Sequence, residues 1–219
     1  GKESRYTGIS LQTHKTDFSL VHPHALKWIN ESAKAGKQWA VAVDEPGDAK
    51  HALLPDAENP NHDNARKNGL WGAFMAGAWG TEWYFGYKHE HSDLTCQDYA
   101  SRELFWKQGK IALDFFHEHV PFWVMENHNP LIGNHDNKPG TYCLAQEGEI
   151  YLIYLSGHSF PSLNLSNSGG KFEVKWFNPA NGGKLQNGSV KKVKGGKKAD
   201  YGKPPTNPDK DWVALIRKL

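Results

Sequence analysis

The sequence predicts an α/β unit followed by an all-β unit. Strand-like and helix-like segments alternate over residues 1–120, whereas short strand-like segments bounded by Gly, Asn and Pro follow one another over residues 121–219. The charge balance also changes, since residues 1–130 contain 13 Lys and Arg against 17 Asp and Glu, and residues 131–219 contain 13 against 7. We therefore expect two domains, 1–120 and 121–219.

The composition indicates a packed protein without a membrane-spanning segment. Nine Trp, eight Tyr and ten Phe in 219 residues are typical of a buried core. The longest uncharged apolar stretch, 69–80, is shorter than the roughly 20 residues that a membrane-spanning helix needs. Cys96 and Cys143 can form at most one disulfide, so they say little about the compartment.

The first unit is predicted to contain three strand–helix pairs in the order β-α-β-α-β-α. Gln38–Val43 is an uncharged, continuous run, which is typical of a parallel strand covered on both faces. Asp63 or Asn64 is the expected N-cap of the second helix, and Asp98 that of the third. The predicted elements are strand 6–12, helix 21–35, strand 38–43, helix 63–78, strand 81–86 and helix 98–118.

Residues 121–219 are predicted to form an antiparallel β-sandwich of seven short strands. Ile150–Leu155 is the densest apolar run and is expected to be a central strand. The stretch Lys191–Lys203 contains six Lys and three Gly and is expected to be a solvated hairpin or loop. The predicted strands are Phe122–Glu126, Thr141–Ala145, Ile150–Leu155, Leu163–Leu165, Phe172–Phe177, Ser189–Val193 and Asp211–Arg217.

Three β-α units are too few to close a β/α barrel, which takes about 250 residues. They fit either a small doubly wound sheet or the last part of a longer barrel, and the strand pattern at the very start of the chain favours the longer barrel. The first predicted strand, Tyr6–Gln12, has no charge or Pro to protect an open edge. We therefore expect another polypeptide segment to cover it.

Two carboxylates, Asp44 and Glu45, end the second predicted strand and precede a Pro-Gly turn. The carboxyl ends of parallel strands carry the active site in β/α barrels, so a carboxylate there can face the central cleft. Asp-Glu pairs also cap helices or form ion pairs. The strand-end position and the turn favour a functional role, with Glu45 as the catalytic candidate.

The third predicted strand carries aromatic rings suited to stacking on sugars. Trp83 and Tyr84 are candidate substrate-binding residues, because sugar rings expose a C–H face that packs on flat apolar surfaces. Trp79 and Phe85 are instead expected to fill the interface between sheet and helices.

Polar residues elsewhere fit the same end of the sheet. Gln12 and His14 end the first strand and could bind substrate or orient the carboxylate, although a His after a strand is often only surface. His51 and His62 flank a long loop after the second strand, and loops of this length are commonly functional. We expect these histidines at the rim of the site, with His51 as a substrate-binding candidate.

The sequence contains no signal for a cofactor. It lacks the Gly-rich loops that bind nucleotide phosphates and the Gly-x-Ser-x-Gly elbow of triad hydrolases. His89 and His91 lack the neighbours of a metal site, and the Lys-rich stretch lacks the interleaved aromatics of a nucleic-acid surface. We expect no metal, no cofactor, no nucleic-acid partner and no membrane partner.

Short motifs in both units resemble a known arrangement of domains. The chain resembles the carboxyl-terminal part of secreted bacterial glycoside-hydrolase-like (β/α)8 barrel proteins that end in a β-sandwich of the collagen-binding type. The motifs are Val43-Asp44-Glu45-Pro46-Gly47, Trp71–Gly80, Glu82-Trp83-Tyr84, Asp98 with Arg102 and Trp106, Tyr142–Tyr151, Trp176–Pro179 and Asp211-Trp212-Val213.

The resemblance implies a retaining glycosidase that acts on a polysaccharide or oligosaccharide. It places Gln12 and His14 at the end of barrel strand six, Glu45 as the nucleophile at the end of strand seven, and Trp83 on strand eight. Such enzymes use two carboxyl groups, one of which attacks the anomeric carbon while the other protonates the leaving oxygen. Barrel strands one to five and the acid/base residue are absent from these 219 residues, which implies an amino-terminal barrel half as a partner.

The resemblance also implies an extracellular or periplasmic location. Nothing in residues 121–219 has the chemistry to recognise a collagen triple helix, and a domain that packs against the barrel is the simpler interpretation. A different class of function stays open, namely a carbohydrate-binding or scaffolding module that has lost catalysis.

Overall fold

A computed structural model describes residues 3–50, 52–82, 84–88 and 98–219 of the chain. The chain forms two compact units, Gly1–Lys110 and Ile111–Leu219. The predicted combination of an α/β part with antiparallel β-sheets is confirmed.

The first unit is built on a parallel three-stranded sheet in the order β1-β2-β3. Its strands are β1 (Gly8–Gln12), β2 (Ala40–Glu45) and β3 (Gly80–Thr81). Its helical segments are α1 (Val21–Lys34), a π-helical turn (Ala65–Leu70) that continues into α2 (Trp71–Ala76), and a 3₁₀ turn (Tyr99–Arg102) that continues into α3 (Glu103–His119). The second half of α3, from Ile111, belongs to the other unit.

The core of the first unit follows from two periodicities. Along α1, the side chains of Val21, Ala25 and Ile29 recur every four residues on one face and are buried. Along β2, Val41 and Val43 alternate with less buried neighbours and are fully buried. Helix α1 packs against both β2 and α2, so the buried face of the sheet is the one that the helices cover.

The second predicted helix differs from expectation at its start. The chain forms a π-helical turn before α2, and Asn64 and Asp63 do not cap it, because the Asp63 carboxylate accepts a hydrogen bond from Arg66 at 2.6 Å instead. Gly69 in this turn faces the Phe18 ring, where an added Cβ would lie 3.4 Å from a ring carbon. Asp98 likewise makes no side-chain cap ahead of α3.

The third strand is shorter than the predicted 81–86. Its ladder to β2 covers Gly80 and Thr81, with one further bond from Glu82 N–H to the Val43 carbonyl at 2.7 Å. Beyond that point the Tyr84 carbonyl accepts a hydrogen bond from Leu53 N–H at 3.0 Å. A loop residue therefore takes the place of a strand partner, and the strand ends.

The second unit contains a six-stranded antiparallel sheet in the order β4-β5-β6-β11-β8-β9 and a two-stranded antiparallel sheet of β7 and β10. Two 3₁₀ turns, Phe122–Val124 and Asn129–Ile132, come before and after the first strand. The strands are β4 (Glu126–Asn127), β5 (Thr141–Gln146), β6 (Ile150–Leu155), β7 (Leu163–Asn164), β8 (Lys171–Phe177), β9 (Lys192–Lys194), β10 (Lys198–Ala199) and β11 (Trp212–Lys218).

Strand β6 is completely buried, as expected for a central strand. The core cluster joins residues of the large sheet, such as Ile153 and Trp176, to Leu163 and Ala199 of the small sheet and to Tyr201. The small sheet therefore covers part of one face of the large sheet.

Two predicted segments of this unit are wrong in detail. Of the predicted strand Phe122–Glu126, only Glu126 is in a strand, since Val124 N–H bonds back to the Pro121 carbonyl at 3.1 Å and closes the 3₁₀ turn Phe122–Val124. Lys191–Lys203 is neither a hairpin nor only a loop, because it contains β9 and β10, which pair with β8 and β7 respectively. Their residues Val193 and Ala199 are buried while the strand lysines are exposed, so the segment alternates as a half-buried strand does.

Within the described residues, no helix combines the length and apolarity that crossing a bilayer demands. Cys143 is a free thiol inside the second unit, and burial raises its pKa. Cys96 lies outside the described residues.

Candidate active site

The carboxyl-terminal edge of the parallel sheet brings the predicted residues of β1 and β2 side by side. Gln12 ends β1 and Glu45 ends β2, and the two are direct partners in the strand register. The ladder continues for one more residue, because Thr13 N–H donates to the Glu45 carbonyl at 3.0 Å. The carboxyl ends of β1 and β2 are therefore both fixed by main-chain hydrogen bonds.

A β-bulge decides which way Glu45 faces. Leu11 pairs with Val43, but the next residue of β1, Gln12, pairs with Glu45, so Asp44 is an extra residue in β2. Without this extra residue, Glu45 would share the buried face of Val41 and Val43. With it, Glu45 pairs with Gln12, and residues that are paired across neighbouring strands share a face of the sheet.

The four candidates on β1 and β2 differ in exposure. Glu45 and Asp44 are half-buried, whereas Gln12 and His14 are exposed. Burial lowers the pKa of His24 on α1.

Two enclosed oxygens at this edge have no hydrogen-bond partner within the described part of the chain. They are Oδ1 of Asp44 and Oγ1 of Thr81, at the ends of neighbouring strands. An enclosed polar atom without a partner costs free energy, and such atoms in native structures commonly meet a ligand or a water. Both atoms can accept hydrogen bonds from hydroxyl groups.

The turn after Glu45 is held in a fixed shape. Gly47 has φ +94°, a conformation that favours glycine, and an added Cβ would lie 3.1 Å from Cα of Ala52. Its N–H donates to Oγ1 of the buried Thr13 at 3.2 Å. The Pro-Gly turn therefore ties the end of β2 back to the end of β1, a contact that could not be predicted from the local sequence pattern.

The long loop after β2 is anchored to the chain that follows β3. The Tyr84 hydroxyl donates to the Ala49 carbonyl at 3.1 Å, and Nε of Arg102 donates to the Leu53 carbonyl at 3.1 Å. The Arg102 guanidinium lies 4.4 Å from the centre of the Phe85 ring, which is buried as expected. Tyr84 thus holds the loop with its hydroxyl group while its ring is half-buried.

His62 is not on the rim. Its side chain is completely buried, and Nε2 lies 2.7 Å from Oδ1 of Asp56, whose Oδ2 accepts the Leu104 N–H at 2.9 Å. This His–Asp pair fastens the end of the loop to the start of α3. Trp79, expected in an interface, is 81% exposed.

The predicted residues His51 and Trp83 lie outside the described residues, as do His89 and His91. Over residues 3–50, 52–82, 84–88 and 98–219, no three His, Cys, Asp or Glu side chains come together in a way that could hold a metal ion.

Comparison with known proteins gives one family match and several structural matches. The family described as "Putative collagen-binding domain of a collagenase" matches residues 128–217, which lie in the second unit. No curated protein matches the chain.

Two solved structures share the fold over 88% of this chain. One is named "Glycoside hydrolase", with 13% sequence identity and a TM-score of 0.62. The other is a glycoside hydrolase family 5 protein from Bacteroides vulgatus, with 14% identity and a TM-score of 0.61. The chain spans 45% and 44% of their respective lengths. At this identity the likeness establishes that the chain has a fold similar to that of part of these glycoside hydrolases.

Proposed function

We propose that this chain forms the nucleophile half of a retaining glycoside hydrolase that acts on a polysaccharide or oligosaccharide. The observation that carries the proposal is the register shift at Asp44, which pairs Glu45 with Gln12 at the carboxyl ends of two parallel strands. β-Bulges beside active sites commonly re-aim a side chain in this way.

The three parallel strands correspond, in this proposal, to strands six to eight of a (β/α)8 barrel. The similar structures are named glycoside hydrolases and are more than twice as long as the part that this chain covers. Strands one to five and the acid/base carboxyl group then come from polypeptide outside residues 1–219, either a further segment or a second chain.

The reaction uses Glu45 as the group that attacks the anomeric carbon. The bond from that carbon to the leaving oxygen breaks as the partner carboxylic acid protonates the oxygen, which gives a glycosyl ester on Glu45. The partner carboxylate then deprotonates a water molecule, which attacks the same carbon and releases Glu45. The anomeric configuration is retained.

The neighbours of Glu45 supply substrate contacts in this proposal. The enclosed Oδ1 of Asp44 accepts a hydrogen bond from a sugar hydroxyl, and Gln12 donates or accepts one on the same face as Glu45. His14, His51, Trp83 and Tyr84 remain proposed substrate-binding residues, with the ring of Tyr84 as a stacking surface. Its hydroxyl is already engaged by the loop.

Trapping the covalent intermediate tests the role of Glu45. The protein at its full natural length is incubated with a panel of dinitrophenyl glycosides that carry fluorine next to the anomeric carbon. Dinitrophenolate leaves without protonation, and the fluorine slows release of the glycosyl group, so the ester on the nucleophile accumulates. We expect intact-mass spectrometry to show one glycosyl adduct, and peptide mapping to place it on Glu45.

The variant Glu45→Gln keeps the size of the side chain and removes its charge. We expect it to form no adduct and to lose at least about three orders of magnitude in turnover, the scale of losing a catalytic nucleophile, with an unchanged unfolding midpoint. The matched control is Asp44→Asn, which we expect to form the adduct. An adduct on another residue, or wild-type turnover by Glu45→Gln, contradicts the assignment, and glycan binding without any turnover favours the non-catalytic module.

We also propose an extracellular or periplasmic location, because a polysaccharide substrate is met outside the cytoplasm. Fractionation of the source cells followed by immunoblotting tests this.

A further inference from the structure

The second unit contains an open cleft that the proposed active site does not use. Its volume is about 500 Å³, within the range of about 300–1,000 Å³ usual for ligand sites. The end of α3 and the following 3₁₀ turn form one wall, and the β5–β6 hairpin with the end of β11 forms the other. Among the residues that line it are His117, Glu118, Trp123, Glu149, Arg217 and Lys218.

We propose that this cleft is a non-catalytic binding site for a neutral oligosaccharide segment, with the Trp123 ring as its stacking surface. The Trp123 indole lines the cleft and is 73% exposed, so its large flat apolar face is available to a ligand. Sugars combine an apolar C–H face with hydroxyl groups at the edge, and the cleft offers a counterpart to each.

The stacking surface is held in place by other rings. Trp123 and Phe122 pack edge to face with ring centres 5.3 Å apart, and Phe122 in turn contacts His117 at 6.1 Å and the buried Phe116 at 6.4 Å. A surface ring that is already fixed loses little conformational freedom when a ligand covers it.

Hydrogen bonds hold the polar groups Glu149 and Lys218 of the other wall in place. Nζ of Lys218 lies 2.7 Å from Oε1 of Glu149, and the main chains of the two residues are also joined, at 2.8 Å. The turn before Glu149 is fixed because Gly148 N–H donates to the Tyr151 hydroxyl at 2.7 Å. The pair presents a donor and an acceptor side by side, as adjacent sugar hydroxyls require.

The charges of the cleft favour a neutral sugar over an acidic one. Two carboxylates, Glu118 and Glu149, balance the two permanent cations, Arg217 and Lys218. Lys218 is paired with Glu149, and Nη2 of Arg217 donates to the His119 carbonyl. An anionic sugar would have to compete with these contacts, whereas a neutral sugar can add to them.

The test measures binding in the Glu45→Gln background, where we expect turnover to be too slow to consume the probes, and chromatography after each measurement checks that the probe is intact. The protein at its full natural length is screened against neutral gluco-, xylo-, manno- and galacto-oligosaccharides, an oligogalacturonate, and a triple-helical collagen peptide. Affinities for the probes that bind are then measured by calorimetry.

We expect a neutral oligosaccharide to bind, and Trp123→Ala to weaken it about tenfold or more, the scale of one lost aromatic contact. The matched control is Trp79→Ala, which removes a similarly exposed indole from the first unit and is expected to leave the affinity unchanged. Glu149→Gln, which disrupts the charged pair, weakens binding as well. Both cleft residues are exposed, so unchanged unfolding midpoints are expected and are checked.

Equal affinities of Trp123→Ala and the parent for the neutral oligosaccharide overturn the proposal. It is also overturned if only the oligogalacturonate or only the collagen peptide binds in a Trp123-dependent way, or if no probe binds. These outcomes do not depend on the role of Glu45, because the adduct experiment detects a covalent bond at the active site, whereas this experiment measures how binding depends on a cleft residue.

Discussion

At the scale of single residues, burial sets the charge state of His22. This side chain is completely buried at the start of α1, and its Nδ1 lies 2.8 Å from the Gly72 carbonyl, so Nδ1 carries the hydrogen. Burial lowers the pKa of His22 to about 4, and the bond to Gly72 offsets only part of this effect. The ring is therefore neutral in the folded protein at neutral pH.

The depressed pKa makes stability depend on pH. In the unfolded chain His22 has its ordinary pKa near 6.5, so between pH 6.5 and about 4 the unfolded state binds the proton and the folded state does not. The free energy of unfolding is therefore highest above pH 6.5, where His22 is neutral in both states, and it falls as the pH decreases towards 4. We expect about 2 kcal/mol of this loss between about pH 7.5 and pH 5.

Denaturant titrations over this pH range measure the effect. The variant His22→Gln cannot take up the proton, so its free energy of unfolding should fall less steeply on acidification than that of the parent. His135→Gln replaces an exposed histidine and should follow the parent. Parallel pH curves for the parent and His22→Gln would show that His22 is not the titrating group.

The placement of Asp44 and Glu45 was only partly predictable from the sequence. The position of Asp44 and Glu45 at a strand end could be read from the uncharged run before them and the Pro-Gly after them. The sequence pattern could not predict which of the two pairs with Gln12, because this depends on one extra residue in the register between β2 and β1. Registers are set by pairing between distant segments, and the local pattern does not contain them.

At the scale of elements, the Lys-rich strand β9 protects an open edge. It is the last strand of the six-stranded sheet, and it exposes Lys192 and Lys194 on either side of the buried Val193. Natural sheets commonly place lysines on edge strands, because the charges oppose pairing with a second molecule. The lysines that suggested a solvated loop therefore have a structural role.

Replacing both lysines by Val should make this edge associate. We expect Lys192→Val with Lys194→Val to raise light scattering at concentrations where the parent is monodisperse, since the strand becomes uncharged and rich in β-branched residues. The control replaces Lys138 and Lys210, two exposed lysines outside strands, by Val. Equal scattering by the two double variants would show that only net charge matters.

Element boundaries were predictable where periodicity was strong and unpredictable where a distant partner decided them. The pattern of Val21, Ala25 and Ile29 located α1 to within a residue. The third strand was expected to continue to Gly86, but Leu53 takes the Tyr84 carbonyl and ends it. The aromatic content of a segment shows its preference for a strand, and the partner that completes the strand comes from elsewhere in the chain.

At the scale of the whole molecule, the change of pattern along the sequence corresponds to a change from parallel to antiparallel sheets. The strand order could not be predicted from the sequence, because β11 comes from the end of the chain and lies between β6 and β8. That insertion pairs Ala214 with Ile153 on one side and with Trp176 on the other. It makes the last strand of the chain part of the core of the second unit.

The proposed division of the barrel leads to a prediction about residues 1–219 by themselves. Within the described part of the chain, β1 pairs only with β2, and its outer edge carries no charged residue from Gly8 to Gln12. If strands one to five and the acid/base group lie elsewhere, these residues alone can assist the departure of a good leaving group but cannot protonate a poor one. We expect residues 1–219 to favour dinitrophenyl glycosides strongly over unactivated oligosaccharides.

The measurement is kcat/KM for a series of aryl glycosides whose phenols differ in pKa. For residues 1–219, kcat/KM should fall steeply as the leaving phenol becomes more basic, because no acid assists its departure. For the protein at its full natural length, the dependence should be shallow. Turnover of unactivated oligosaccharides by residues 1–219 alone, at rates close to those of the activated glycosides, would show that the chain contains its own acid and that the division of the active site proposed above is wrong.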